Sequence, residues 1–443
     1  MPKLHSVKLN RDLCMGCTNC IKRCPTEAIR VRDGKAQIFD ARCIDCGECI
    51  RACPHHAKSA SMDSLEQLKD YSFTIALAAP SLYAQFGPPA TRKMVLAALR
   101  TIGFDAVFEV ASGAEAVSKN TALYLEQALK SGIRPVISSA CPVVVRLIQM
   151  RYPNLIDHLV PFDSPMEVTA AHARAMVSRQ KSLQTDKIGV FFISPCPAKR
   201  TAVNNPIGHT KSHVDGVIAI ADAYPLILAN LDKIDQGCSD NLESEMAGST
   251  GVRWAYAGGE AIALKMDRFL AVDGIHNVIA ILDEVENERL QDVDFIEANA
   301  CIGGCIGGPL TVANRFSAHA RQRAFVASAA AGREKGATGK PITGRLELWA
   351  EKPLSNPAMQ LDDDIVLALK KYEQMKKIAA DLPGLDCGAC GAPDCEALAE
   401  DIVRGEATET DCIFKLKERI RSVAAQMGEL EREMNRHVLK GDV

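Results

Sequence analysis

Seventeen cysteines punctuate this chain of 443 residues, and most stand in patterns that could hold metal. Cys14, Cys17, Cys20 and Cys24 are separated by two, two and three residues, with Pro25 next. Cys43, Cys46, Cys49 and Cys53 repeat the pattern, with Pro54 next. Such short steps let three thiolates wrap one centre, and a thiolate is a soft ligand suited to iron or zinc. A second group is dispersed: Cys141 in SSACP, Cys196 in SPCPAK, and Cys301 with Cys305 in EANACIGGCIGG. Between Cys301 and Cys305 stand Ile302 and the pair Gly303-Gly304, and the glycines let both thiolates reach one metal centre. A third group is Cys387, Cys390, Cys395 and Cys412. Cys238 is left over and reads as a spare surface or packing thiol.

The elements that must position these residues belong to an ordinary globular protein: 47% of residues are hydrophobic and 24% charged. The length predicts two to four domains. A net charge of −3 argues against a nucleic-acid partner. The opening MPKLHSVKLNRD has no apolar stretch of signal-peptide type, and no uncharged apolar run is long enough to span a bilayer. Residues 217–230 come nearest, and Asp222 interrupts them. The expectation is therefore a cytoplasmic protein, and in a reducing compartment clustered cysteines bind metal more often than they form disulfides.

The tandem pattern resembles the bacterial ferredoxin spacing, in which the fourth cysteine ligates the other cluster. Two [4Fe-4S] clusters are expected, one on Cys14, Cys17, Cys20 and Cys53, the other on Cys43, Cys46, Cys49 and Cys24. Zinc is the alternative, but zinc ribbons use paired CxxC and not four cysteines plus proline in tandem. His55 and His56 read as surface residues.

Downstream, Phe73–Ala79 reads as a buried strand ending in Ala79-Pro80-Ser81. A helix carrying Met94, Leu96, Ala97 and Leu99 follows, then a strand-like run, Ala106–Val110. Strand, helix, strand predicts a parallel sheet, whose ligands lie at the strands' carboxyl ends. Cys141 and Cys196 each follow such a strand. Any one of these cysteines could be mere packing; four of them from three strand-end loops point to a common centre.

These loops resemble the signature motifs of the [FeFe]-hydrogenase (iron-only hydrogenase) family, usually TSCCP, MPCxxK and ExMxCxxGCxxG. Ala79-Pro80-Ser81, Phe86-Gly87 and Asp163-Ser164-Pro165 match as well, and the resemblance covers about residues 1–320. It implies that Cys141, Cys196, Cys301 and Cys305 hold a cubane. Cys305 would bridge to a two-iron subcluster carrying CO, cyanide and a dithiolate, which together form the H-cluster that splits dihydrogen reversibly. Lys199 would donate to one cyanide, a role suited to a compact ammonium, and Ala79, Pro80 and Ser81 would line the other. The partners implied are dihydrogen, protons, a ferredoxin-like electron carrier and maturation proteins.

Four departures bear on the chemistry. The thiol that relays protons in the family is Ala140 here. The methionines of the second and third motifs are Ser194 and Asn299. The helix after Gly113-Ala114-Glu115 lacks the relay glutamates. Only Ser164 remains of the proton path, and losing a positioned general acid costs about 10²–10⁴-fold in rate. Such losses resemble the sensory, low-activity branch of the family.

Residues 328–345 are small, basic and glycine-rich and read as a mobile connection. The helix Asp362–Ala380 follows, with Ile365, Leu367, Leu369, Tyr372 and Met375 mostly on one face. The spacing of Cys387, Cys390, Cys395 and Cys412 resembles a small four-cysteine cubane domain of electron-transport complexes, with zinc the alternative. Ile413, Leu416, Ile420, Val423, Met427, Leu430 and Met434 then recur at steps of three and four, an a/d heptad seam. It fits either a helix packed on its own domain or a parallel homodimer.

The predicted fold class is α/β. The expected domains are a two-cluster ferredoxin-like module (1–60), an H-cluster domain with parallel sheets (70–325), a linker (326–360), a four-cysteine [4Fe-4S] domain (361–414) and a coiled-coil helix (415–440). That makes three [4Fe-4S] clusters besides the H-cluster. Three functions fit: a dihydrogen sensor with slow turnover acting on a separate signalling protein, a competent hydrogenase with another proton route, or an iron–sulfur electron-transfer or assembly protein lacking the two-iron subcluster.

Overall fold

A computed structural model describes residues 5–234, 246–331 and 342–439. Cys238 and most of the connection at 328–345 lie outside the described residues. The chain forms two units. One comprises residues up to 8, 43–51 and 59–356; the other comprises 9–42, 52–58 and the chain from 357 onward.

The first unit is α/β and is built on two parallel sheets. Its strands are β1 (Phe73–Ala78), β2 (Ala106–Glu109), β3 (Val136–Ile137), β4 (Ile188–Ser194), β5 (Gly216–Ala219), β6 (Phe269–Asp273) and β7 (Phe295–Asn299). The larger sheet has the order β2-β1-β4-β5 and the smaller β6-β7-β3. All pairings within both are parallel.

Alternate residues of the larger sheet feed opposite cores. Ala76, Ala78, Phe191, Ile193 and Ile218 join helices Arg92–Thr101 and Ile220–Leu231 on one face. Ile75, Leu77, Val190, Phe192 and Val217 join helix Pro165–Lys181 on the other. A strand buried on both faces needs an unbroken apolar run, and this explains the sequence of β1 and β4. The most apolar stretch, 217–230, is strand β5 followed by the helix Ile220–Leu231. Among the described residues no helix is long and apolar enough to cross a membrane.

By packing, Cys43, Cys46 and Cys49 fall in the first unit, and Cys14, Cys17, Cys20, Cys24 and Cys53 in the second. Helix Arg315–Ala330 runs through the start of the expected linker. The described end of that linker is not free. Leu346 N donates to Asn120 Oδ1 (2.9 Å), Trp349 N to Pro161 O (2.9 Å) and Asn356 N to Gln149 O (2.7 Å). A loop with so many partnered amides is docked structure.

In the second unit, a hairpin of Ile29–Arg32 and Lys35–Ile38 meets the four-cysteine segment. The buried Arg30 guanidinium forks onto Asp401 through Nε (2.7 Å to Oδ2) and Nη2 (2.9 Å to Oδ1). Arg32 reaches the same carboxylate at 2.5 Å, and Arg42 pairs with Glu400. Bidentate arginine–carboxylate pairs fix orientation as well as charge. Their carboxylates sit on one helix, Cys395–Val403.

Helix Ile365–Asp381 starts at an Asp364 cap. Its later apolar residues Met375, Ile378 and Ala379 pack on the small C-terminal core, whereas Ile365, Leu367, Leu369 and Tyr372 are exposed. The terminal helix, Ile413–Leu439, leaves all seven heptad positions open, from Val423 (41% exposed) to Met434 (68%). Among the described residues the seam is therefore not packed on its own domain, although Lys415 in the first turn pairs with Asp381 at 2.8 Å.

Candidate active site: a four-cysteine cage at parallel strand ends

The cage assembles where strand ends of the two sheets converge. Cys141 follows β3, Cys196 follows β4 and Cys301 follows β7. Cys141 and Cys196 are each the N-cap of a helix whose first residue is proline, Pro142–Arg151 and Pro197–Asn204. Proline needs no amide partner at that position, and the positive helix end favours a thiolate. Cys305 opens a short turn after Gly304, whose φ is +82°. A Cβ there would stand 2.6 Å from Ala257 N, so this approach demands glycine.

Cys141, Cys196, Cys301 and Cys305 line one cavity of about 100 Å³. Its other walls include Ala79, Pro80, Ser81, Ala140, Lys199 and Asn299. The accessible surface of Cys305 opens into this cavity. Burial, reinforced by the neighbouring thiols, pushes the Cys305 thiol up to about 12 and Cys196 well above its ordinary value. Thiols held so high stay protonated unless a cation takes their place, and a soft metal centre is the cation that four sulfurs accept.

Two polar groups fit a ligand carried by such a centre. Ser81 is fully buried, and its Oγ has no hydrogen-bond partner among the described residues. An orphaned buried hydroxyl in a cavity wall suits a polar ligand atom. Lys199 Nζ donates to the Ala140 carbonyl at 3.1 Å and also faces the cavity.

The remaining predicted site residues divide. Ala140 lines the cavity and carries no exchangeable proton. Ser194 does not line it: its hydroxyl accepts from Cys196 N and donates to Cys196 O, both at 3.1 Å, and so shapes the turn. Asn299 Nδ2 donates to Glu297 Oε1 at 2.9 Å. Ser164 lines a smaller adjoining pocket with Asp163, Glu167 and His209. The two pockets share Ala140, Pro142, Met166 and Lys199.

The sequence reading missed two acids. Glu260 and Glu297 are buried and line the main cavity. Burial raises the Glu297 carboxyl above its ordinary value, against the hydrogen bonds it accepts from Ala261 N (2.9 Å), Asn299 and Gly258 N (3.0 Å). Among the described residues, the Glu260 carboxylate accepts from the Ser138 hydroxyl alone, at 2.5 Å. Burial and the adjacent Glu297 push Glu260 up to about 8, so the pair keeps a proton at neutral pH. Ser138 Oγ in turn accepts from Ala140 N at 3.3 Å. Glu297 opens the EANACIGGCIGG motif and stands in the apolar strand FIEAN, and both were signals for it; Glu260 had none.

The first predicted ferredoxin set also converges. Cys14, Cys17, Cys20 and Cys53 line one small cavity. Burial opposes the Cys14 thiolate, but the Ala36 and Gly16 amides, with Lys58 and Lys35, outweigh it and hold its thiol below the ordinary value. In the C-terminal segment Cys390, Cys395 and Cys412 pack about one small core and Cys387 is exposed.

A family model described as iron-only hydrogenase large subunit, C-terminal domain, matches residues 72–265 and 245–309. The chain belongs to this family. A 4Fe-4S dicluster domain matches residues 6–54 and an Fe-S cluster domain residues 382–414. The periplasmic [Fe] hydrogenase large subunit of Nitratidesulfovibrio vulgaris is 28% identical over 69% of this chain and 86% of its own length. Iron hydrogenase 1 of Clostridium pasteurianum is 24% identical over 50% of this chain, which spans 46% of that protein. The NADP-reducing hydrogenase subunit HndD of Solidesulfovibrio fructosivorans is 24% identical, and the match covers 68% of this chain and 56% of that one. Solved [FeFe]-hydrogenase structures share 15–16% identity, among them HydA(deltaEFG) (TM-score 0.45; 57% of this chain, 83% of that chain) and a HydA1 variant from Chlamydomonas reinhardtii (TM-score 0.46; 63% and 90%). The hydrogenase-family segment thus contains all four cysteines of the main cavity, together with Ser81, Lys199, Glu260 and Glu297.

Proposed function

We propose that this chain holds an H-cluster, turns dihydrogen over slowly and serves as a dihydrogen or redox sensor. The observation that carries the reading is the cavity itself: four cysteines, an orphaned Ser81 hydroxyl and Lys199 face one space beside Ala140, which offers no proton. When bound, the H-cluster supplies the splitting of dihydrogen at its two-iron subcluster. Cys141, Cys196, Cys301 and Cys305 would hold its cubane, and Ser81 and Lys199 would orient its polar ligands. The apolar walls around them exclude water and strengthen every hydrogen bond inside. Electrons would pass through [4Fe-4S] clusters on the ferredoxin-type and C-terminal cysteines to a ferredoxin-like carrier. Cysteines clustered at metal-binding spacings suit a reducing compartment, which we infer is the cytoplasm.

The test is infrared spectroscopy after loading by hydrogenase maturation proteins. Bands of iron-bound CO and cyanide are expected in the wild type. A cubane-only protein would show none, and the two-iron reading would then fail.

The sensing half of the proposal draws on the exposed heptad seam of Ile413–Leu439. A sustained seam in water is a liability unless a second helix covers it, and a second copy of this helix laid parallel would match its seam. We infer a homodimer through this helix, presenting its state to a signalling protein. Replacing Ile420 and Met427 together by glutamate should convert the dimer to a monomer in sedimentation analysis. A wild-type monomer would refute the dimer.

A second reading is favoured by Glu260 and Glu297: a competent hydrogenase whose protons travel by this pair in place of the missing thiol. Turnover of variants at Ala140 and Glu260 separates the two readings.

A further inference from the structure

The helix Glu48–Ala52 carries Cys49 of the second ferredoxin-type run, and it packs directly against the loop of Cys301 and Cys305. The closeness is visible at Gly47, where φ is +76° and a Cβ would stand 2.5 Å from Pro309 Cγ. From this helix Arg51 reaches across. Its Nη2 donates to the Gly307 carbonyl, two residues past Cys305, and its guanidinium is within hydrogen-bonding reach of the Cys301 thiol. Glu48, one turn earlier, pairs with the same guanidinium and fixes it. The Arg51 side chain is 26% exposed and that of Glu48 19%, so neither charge is fully screened by solvent. None of this is needed to close the cage, because Cys301 is positioned by its own strand and turn.

A cubane on four thiolates becomes more negative when it takes an electron. A fixed cation and an N–H donor at one of its sulfurs therefore favour the reduced form, and a nearby carboxylate opposes it. We propose that Arg51 sets the reduction potential of the cubane held by Cys141, Cys196, Cys301 and Cys305, with Glu48 as its counterweight, so that electrons leaving the Cys43–Cys49 run are drawn toward the active site. Arg51 is a positioning and tuning residue and touches no substrate. The inference rests on the reading of those four cysteines as cubane ligands.

The test uses full-length protein reconstituted with iron and sulfide, without the two-iron subcluster. Paramagnetic resonance signals are followed during a redox titration, and the cubane is identified as the signal lost in Cys196→Ala. Arg51→Gln is expected to move its midpoint to lower potential, and Arg51→Lys, which keeps the charge and loses the planar fork, to move it less. Glu48→Gln is expected to move it the opposite way, and this arm stands even if Arg51→Gln loads poorly. An unchanged midpoint in Arg51→Gln, equal shifts in the glutamine and lysine variants, or a fall in Glu48→Gln would overturn the proposal. If Cys196→Ala loses no signal, it is the cysteine assignment that fails, and the tuning role fails with it.

Discussion

Ala140→Cys is expected to raise dihydrogen evolution by about 10²-fold, within the range that a positioned general acid contributes. The geometry gives the reason. Ala140 lines the main cavity and also the adjoining pocket of Ser164, Glu167 and the Asp163–His209 pair. In that pair His209 Nδ1 lies 3.0 Å from Asp163 Oδ1, and the carboxylate raises the imidazole's proton affinity against the opposing effect of burial. Acceptors for a proton are thus in place beyond position 140, and the methyl group of alanine is the break between them and the cavity. A thiol there has a proton to give and faces both spaces. The measurement is evolution from a chemical reductant, with the infrared bands recorded alongside to show that loading is equal. An unchanged rate at equal loading would mean that proton delivery is not the slow step, and the low-turnover reading would lose its basis.

Glu260→Gln is expected to lower the residual rate by about 10²-fold, by the same measure applied in the opposite direction. Glutamine keeps the size and can still accept from the Ser138 hydroxyl, but it cannot deliver a proton. The pH profile adds a second readout. Glu260 is pushed up to about 8 by burial and by Glu297, so the slow route is fully protonated below that pH and declines as pH rises through it. The variant's remaining rate should show no inflection near pH 8. The same group bears on stability. Its ordinary value is 4.5, so the folded protein holds a proton that the unfolded chain releases between about pH 4.5 and 8. Stability should therefore be unaffected by Glu260 below that window and fall as pH rises through it. Rates equal in Glu260→Gln and wild type would leave the second proton route without a carrier.

Together the two variants apportion the function. A large gain at position 140 with a small loss at 260 fits a site kept slow for sensing. A small gain with a large loss fits a hydrogenase that has moved its proton path to the other wall of the same cavity.

Much of this site was legible in the sequence because its ligands obey local rules. Cys-Pro at the start of a helix, two cysteines in a glycine-rich turn and four cysteines at fixed short steps are patterns that backbone geometry imposes wherever they occur. The continuous apolar runs of β1 and β4 likewise announced strands buried on both faces, and the heptad steps of the terminal helix announced a seam.

Tertiary structure alone decided the rest, since the remaining relationships join residues far apart in the chain. Glu260 became a cavity acid only when a helix start met β7, and Ser194 lost its expected place because its hydroxyl found its own backbone first. The Arg30–Asp401 pair joins residues 371 apart, a contact that no local pattern announces. The spacing of cysteines fixes which atoms can share a metal, because that is a short-range property of the chain. Which acids, cations and hydroxyls surround the metal is settled by packing, where burial turns an ordinary glutamate into a proton store and an arginine into a charge held at sulfur.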